Sequence, residues 1–363
     1  MSSQRRRIAI LAEGKMDIFS AKTAVGVLRY SPHEVVAVVD SNTAGQTVNA
    51  VLGFGGPIPI VASVAEAAAK HNPEVLLIGI APTGGQLPGS WRVFIDEAIA
   101  ARLEVWSGMH VFLSDDPKFA SAASVAGVKL WDVRKPRPDL VVADGSALKV
   151  DAFKILAVGS DCNVGKMTVM LEMQRALKTM GHEAGFVATG QTGILIEGEG
   201  TPLDAIPGDF MSGEVERLVV EQDQRGCEVV LVEGQGALAH PGFGAVTHAL
   251  LLGTMPDAMI LCHQPTRRTY RPNYDVPVAP LPQVIKMYEA VMEVYGHPRI
   301  VGVALNTYEM NATEASMLVE TTERVLGLPT TDPIRYGVEK LIQAVEPSIE
   351  AKRRARAQSP LHP

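Results

Sequence analysis

Cysteine is scarce in this chain, with three residues in 363. Cys162, Cys227 and Cys262 show none of the short spacings of a metal site, and an odd number leaves no complete disulfide framework. That scarcity suits a reducing, cytoplasmic setting. A surplus of positive charge is also missing: 33 Lys+Arg face 40 Asp+Glu, and a net charge of -7 gives no electrostatic footprint for DNA or RNA. No apolar run approaches the ~18 residues of a membrane span. Arg5-Arg6-Arg7 followed by Ile8–Ala12 is interrupted at Glu13 and Lys15, too early for the apolar core of a signal peptide. These absences set aside nucleic acid and membrane as partners and leave a protein that handles a small molecule.

What is present is most informative at residues 159–168, Gly-Ser-Asp-Cys-Asn-Val-Gly-Lys-Met-Thr. The run follows Ile155-Leu156-Ala157-Val158 and precedes a helical pattern from Met170 to Met180, so it reads as strand, glycine loop, helix. Backbone N–H groups at such a helix start, together with the helix dipole, hold phosphate oxygens. Gly159, Ser160, Asp161, Asn163, Val164, Gly165, Lys166, Met167 and Thr168 form the expected phosphate site. Lys166 supplies a point charge, and Thr168 offers a hydroxyl to magnesium. Five residues rather than four separate the first glycine from Gly165-Lys166, and Met167 stands before Thr168. Phosphate binding follows from this pattern; nucleotide hydrolysis does not.

A chain this long should form two domains. In residues 7–150, apolar runs (Ile8–Ala12, Val35–Val39, Val75–Ile80) alternate with amphipathic segments (Ala21–Leu28, Val64–Lys70, Val93–Ala101), the pattern of a parallel sheet with helices on both faces. Asp40 ends the second run, but no G-x-G-x-x-G follows the first, so a ribose contact competes with an ordinary strand-end cap. The loop Ala81–Gly89, Arg92, and Ser107-Gly108-Met109-His110 stand where ligands of open α/β sheets bind. The bland readings are a surface arginine and a hydrogen-bonded histidine. The stretches from Pro57, Leu76 and Ile95 are similar to the CoA-binding domain of acyl-CoA synthetases. Asp132–Pro138 reads as a linker.

Residues 151–345 form the second expected domain, with 346–363 as a tail that reads as a frayed helix and a disordered terminus. Val229–Val232 ends in Glu233, the acid that would hold magnesium at a strand end. Gln191 and Thr192 lie in a small polar loop after another strand. Asn306 ends a further one, where its amide can read a nucleobase or simply make a turn. His240 and the run Cys262-His263-Gln264-Pro265-Thr266-Arg267 follow apolar segments at the same sheet edge. Asp209 precedes an expected helix over Val215–Gln222, for which Ser212 is the better N-cap.

The glycine loop, Ala188–Gly193, Val232–Gly236 and Cys262–Arg267 together resemble the DgcN family, across nearly the whole chain. That resemblance implies an α/β protein of two domains, a Rossmann-like parallel sheet followed by a P-loop NTPase-like parallel sheet related to dethiobiotin synthetase. It also implies transfer of an acetyl group from acetyl-CoA to the amine of D-glutamate. The loop would then anchor CoA, Asn306 would assist, and Gln191, Thr192, Glu233, His263 and Arg267 would line the substrate. Asp209 and His240 are the candidate bases, with Arg267 as carboxylate clamp ahead of Arg268 and Arg92. The competing reading is an ATP- and magnesium-dependent ligase or kinase using Lys166, Thr168 and Glu233; a nucleotide-regulated binding protein is a third. A homodimer is the default assembly.

Overall fold

A computed structural model describes residues 5–18, 20–80, 85–272 and 274–358. Residues 81–84, the first part of the expected ligand loop, and 359–363, the end of the expected tail, lie outside the described residues. The chain divides into two compact units. One comprises residues 1–137 with 190–205, the other 138–189 with 206–363. The sequence reading expected a single boundary near residue 150. The chain instead passes between the units three times, at 137/138, 189/190 and 205/206.

The first unit is built on six parallel strands: β1 (Arg7–Leu11), β2 (Glu34–Val39), β3 (Ile60–Val61), β4 (Val75–Ile78), β5 (Glu104–Ser107) and β6 (Leu130–Asp132). Their order, β3-β2-β1-β4-β5-β6, is that of the Rossmann fold, with its switch point between β1 and β4. Ile8–Leu11 and Val75–Ile78 are fully buried, because helices cover both faces and leave no room for polar alternation. Helix starts are explicit in the sequence. Ser63 accepts from the Glu66 amide, and Asp116 accepts from Lys118 and Phe119 just ahead of Pro117.

The second unit carries β7 (Phe153–Gly159), β8 (Ala184–Val187), β9 (Val229–Val232), β10 (Ala258–His263), β11 (Arg299–Leu305) and β12 (Thr330–Thr331), all paired in parallel. The order β12-β11-β10-β7-β9-β8 places β7 between β10 and β9, so the glycine loop leaves from the sheet centre. Helix Lys166–Thr179 lays Val169, Met170, Met173 and Leu177 on one buried face.

Three sequence expectations change here. The helix expected over Val215–Gln222 runs from Gly208 to Gln224, so Ser212 lies inside it and Asp209 sits in its first turn. The tail helix, expected to be frayed, is the packed end of a longer one, Glu339–Gln358, that continues through Pro347. Val345 and Ile349 are buried, and Lys352 donates to Asp257 and to the carbonyl of Ala152. Packing on one side outweighs the lost amide of the proline. The Asp132–Pro138 stretch does carry the first crossing between the units, at 137/138, but its start is structured: Asp132 ends β6, and Arg134 is buried.

Candidate functional site

Gly159 closes β7, and the loop turns through Asn163 (φ 55°) and Gly165 (φ 106°) into helix Lys166–Thr179. Only residues tolerant of the left-handed region fit there. The first turn of that helix leaves its amides without intrahelical partners, which is the anion-binding arrangement expected from the sequence. Lys166 is buried, and its ammonium donates to the Asp161 carbonyl at 2.8 Å. Burial holds its pKa below the ordinary lysine value, while charges nearby, Asp161 and Glu233 among them, oppose the shift. Two glycines make room for this side chain: a Cβ on Gly159 would stand 2.8 Å from the Lys166 nitrogen, and one on Gly234 2.8 Å from its Cδ. Val164 is buried beneath the loop, while Met167 and Thr168 are half-buried at the helix start.

Asp161 decides how the loop is held. Its carboxylate is fully buried and accepts from Arg267 Nη1 at 2.5 Å, from the Cys162 amide at 2.7 Å and from the Arg271 amide at 3.2 Å. Arg267 also reaches the Cys162 carbonyl (3.3 Å) and Gln264 (2.7 Å). Gln264 in turn bonds Glu309 at 3.1 Å. The guanidinium expected to clamp a substrate carboxylate is thus tied through both Nη atoms to the loop and to Gln264, while its Nε is buried without a hydrogen-bond partner. Burial of both charges explains why: an acid inside a phosphate loop needs a cation, and a planar guanidinium supplies one.

His240 is the second correction. Its Nδ1 accepts from the amides of Gly242 (3.0 Å) and Phe243 (3.1 Å), and its Nε2 donates to the Arg271 carbonyl. The ring is packed among Phe243, Tyr270 and Tyr274. Neither nitrogen keeps a lone pair for a substrate proton, so the geometry removes His240 as a base. Asp161, Cys162 and His240 also form the one cluster of three metal-type ligands among the described residues. Arg267 already neutralises Asp161 there, and the His240 N–H is committed to a carbonyl.

Glu233 follows β9 and is buried; it accepts from the Thr189 amide at 2.9 Å, while the Thr189 hydroxyl donates to the Glu233 carbonyl at 2.7 Å. His263 ends β10 with Nδ1 2.8 Å from the Ser160 hydroxyl. Burial first, and Arg267 second, lower its pKa to about 4, so the ring is neutral at pH 7. The backbone N–H of Asn306 donates to the His263 carbonyl, and its side-chain oxygen accepts from the Tyr308 amide, a turn role. Asp209 is exposed. Gln191 and Thr192 belong to the first unit, where Gln191 accepts from Arg134 and Thr192 pairs with Thr23 at 3.0 Å. Asp40 accepts from Gly14 and Thr43, the capping role rather than a ribose contact, and Arg92 pairs with Asp116.

Sequence reasoning missed two elements of the second unit. Tyr288, fully buried, donates to the Gly159 carbonyl (2.8 Å) and receives the Leu238 amide (3.0 Å), tying the loop's root to residue 238. From Leu238 a groove of about 630 Å³ runs between helices Gly208–Gln224 and Gly244–Thr254, lined by Met211, Ser212, Leu238, His248 and Leu252. No local signal marks either, because both arise from packing of segments far apart in sequence.

A Rossmann-order unit, and a second unit with a glycine phosphate loop at its sheet centre, define a two-part α/β protein of P-loop type. The chain belongs to the DUF1611 family. The family's "domain of unknown function (DUF1611_C) P-loop domain" matches residues 141–342, and its Rossmann-like DUF1611_N domain matches residues 41–136. A D-glutamate N-acetyltransferase of Tritonibacter scottomollicae is 36% identical over 331 residues, covering 91% of this chain and 95% of that protein. One from a Pseudoalteromonas species is 32% identical, covering 76% and 82%. A solved DUF1611 family protein of Anabaena variabilis superposes with a TM-score of 0.89 at 38% identity, over 94% of this chain and all of the other.

Proposed function

We propose that this chain is an acetyl-CoA-dependent N-acetyltransferase acting on the amine of an acidic amino acid, D-glutamate or a close relative. The observation that carries the reading is the pair of relatives of that name, aligned over most of the chain. The geometry of the second unit supports it. CoA carries several phosphates at one end and a thioester at the other, joined by a slender arm. The glycine loop suits the phosphates, and the groove that begins at Leu238, with its apolar Met211, Leu238 and Leu252, suits the arm.

In the reaction the neutral amine attacks the thioester carbonyl, the C–N bond forms, and the C–S bond breaks to release CoA thiolate. A base takes the ammonium proton. With His240 removed, Asp209 is the base this reading assigns: it is an exposed carboxylate next to Gly208 at the groove. Asp209→Asn should then lower kcat by about a hundredfold or more with little change in KM. Unchanged kcat would shift the role to His263 or to a water held by Glu233. The reaction itself is tested by incubating D- and L-amino acids with acetyl-CoA and detecting free thiol. Thiol release with D-glutamate and not with neutral amino acids supports the reading; none with any amine sinks it.

One observation favours a second reading, ATP- and magnesium-dependent transfer: Glu233 directly follows β9, the strand paired with the one that leads into the phosphate loop, and acts electrostatically on Lys166. Thermal shift separates the two. Stabilisation by CoA without magnesium supports acetyl transfer, and stabilisation by ATP only with magnesium supports the alternative.

A further inference from the structure

The first unit contains a buried polar cluster that the acetyl-transfer reading has not used. Arg134, two residues beyond β6, is nearly inaccessible, its side chain 3% exposed. Its Nη1 donates to Gln191 at 3.1 Å; its Nη2 donates to His110 Nδ1 at 3.3 Å and to Asp204 at 2.5 Å. Its Nε is buried and has no hydrogen-bond partner. Gln191 and Asp204 come from the 190–205 excursion, His110 from the turn after β5. All of these residues therefore gather at the carboxyl ends of the strands, the edge where open α/β sheets bind ligands.

The cluster is tightly built. Gly85, at φ +62°, lies so close to His110 that a Cβ would stand 1.7 Å from the ring, and Gly85 also accepts the His110 amide. A Cβ on Gly108 would stand 2.9 Å from Gln191. A guanidinium can only donate, so His110 Nδ1 is the acceptor in that bond and the ring is neutral there; burial and the Arg134 charge lower its pKa. The neighbours of the guanidinium are thus a neutral ring, a neutral amide and one carboxylate.

That carboxylate is the informative one. Nε and Nη2 form the side-on edge of a guanidinium, the edge that a planar carboxylate grips with two parallel bonds. Asp204 takes only Nη2, and its own side chain is 40% exposed. A buried cation is therefore held by a half-exposed acid that uses half of the available fork.

We propose that Arg134 anchors the carboxylate of a small acidic ligand, and that Asp204 is an internal carboxylate which this ligand displaces. The class of ligand, an acidic amino acid or dicarboxylate, rests on the proposed function; the displacement does not. Gln191 would remain on Nη1, and the incoming carboxylate would take Nη2 together with Nε.

The test is titration calorimetry of the intact chain with D-glutamate and with glutarate, using glutaramide as the uncharged comparison. The native chain should bind the two acids and not the amide. Asp204→Asn removes the charge of the internal competitor and should tighten glutarate severalfold; Arg134→Lys keeps charge but loses the fork and should weaken it at least tenfold. If Asp204 and Arg134 only brace the excursion, Asp204→Asn weakens binding or leaves it alone, which overturns the proposal. So does the absence of glutarate binding to the native chain. Should either variant fold poorly, hydrogen exchange of the native chain decides. Glutarate should speed exchange of amides around residues 203–206 as Asp204 lets go, and unchanged or slower exchange there overturns the displacement. Glutarate binding with these signs in a chain that fails to release thiol from acetyl-CoA would sink the acetyltransferase reading alone.

Discussion

At the scale of single residues, Asp161 and Arg267 determine the character of the phosphate loop. Both are buried, and each bonds the chain around the other. Breaking such a pair from one side leaves an uncompensated charge at a cost of about 3–5 kcal/mol, whereas removing both ends costs less. Arg267→Met should therefore destabilise the protein strongly, and Asp161→Asn combined with Arg267→Met by less than the sum of the single changes. Urea denaturation of the four proteins checks this. If the proposed acetyl transfer holds, Arg267→Lys should raise KM for acetyl-CoA about tenfold and leave KM for the amino acid nearly unchanged. A rise in the amino-acid KM alone would return Arg267 to the clamp role that the sequence suggested.

Elements meet here through glycines. After β9, a Cβ on Gly234 would stand 1.8 Å from the Ala157 carbonyl of β7 and 2.8 Å from the stem of Lys166. Neither strand can yield, since β7 is buried along its whole length and paired on both sides. Gly234→Ala should thus destabilise by about 2 kcal/mol or more, the range of overpacked cores. It should also weaken the proposed binding of CoA, because Lys166 is pushed from its seat. Chemical denaturation and calorimetry measure the two effects; a neutral substitution would mean that the sheet edge is looser than the geometry implies. Helix Gly208–Gln224 shows the same device, with Gly213 placed so that a Cβ would stand 2.0 Å from the Val141 carbonyl.

For the whole molecule, the response to acid follows from a histidine buried neutral. The pKa of His263 is lowered by burial to about 4, from an ordinary value of 6.5. Between those values the unfolded chain binds more protons than the folded one, so stability is complete above about pH 6.5 and falls as pH drops toward 4. At about 1.4 kcal/mol per unit the loss from this one group reaches about 3 kcal/mol at its limit. His263→Asn should flatten the acid limb of a plot of stability against pH, measured by urea denaturation between pH 7 and 4.5. An unchanged limb would place the acid sensitivity in other groups. None of the described helices is long and apolar enough to cross a membrane.

The sequence by itself determined the local parts. Continuous Val, Ile and Leu runs specify buried parallel strands, so β1, β2 and β4 emerge within a residue or two of where they lie. The glycine loop with Lys166 is legible because its chemistry is contiguous: strand, turn and helix start are neighbours along the chain. Glu233 was legible for the same reason, as an acid directly after an apolar run. Partnership was not. Nothing near Arg267 announces that its guanidinium turns to Asp161, more than a hundred residues earlier, or that the lone pair of His240 is taken by two amides. Helix Gly208–Gln224 starts early because packing on Val141 and on helix Gly244–Thr254 stabilises a glycine-containing first turn that propensity alone disfavours. The assignment of residues 190–205 to the first unit, and with it the burial of Arg134, arises only when segments distant in sequence meet. Charge pairing and burial are properties of that meeting; hydrophobic period and turn chemistry are properties of the chain.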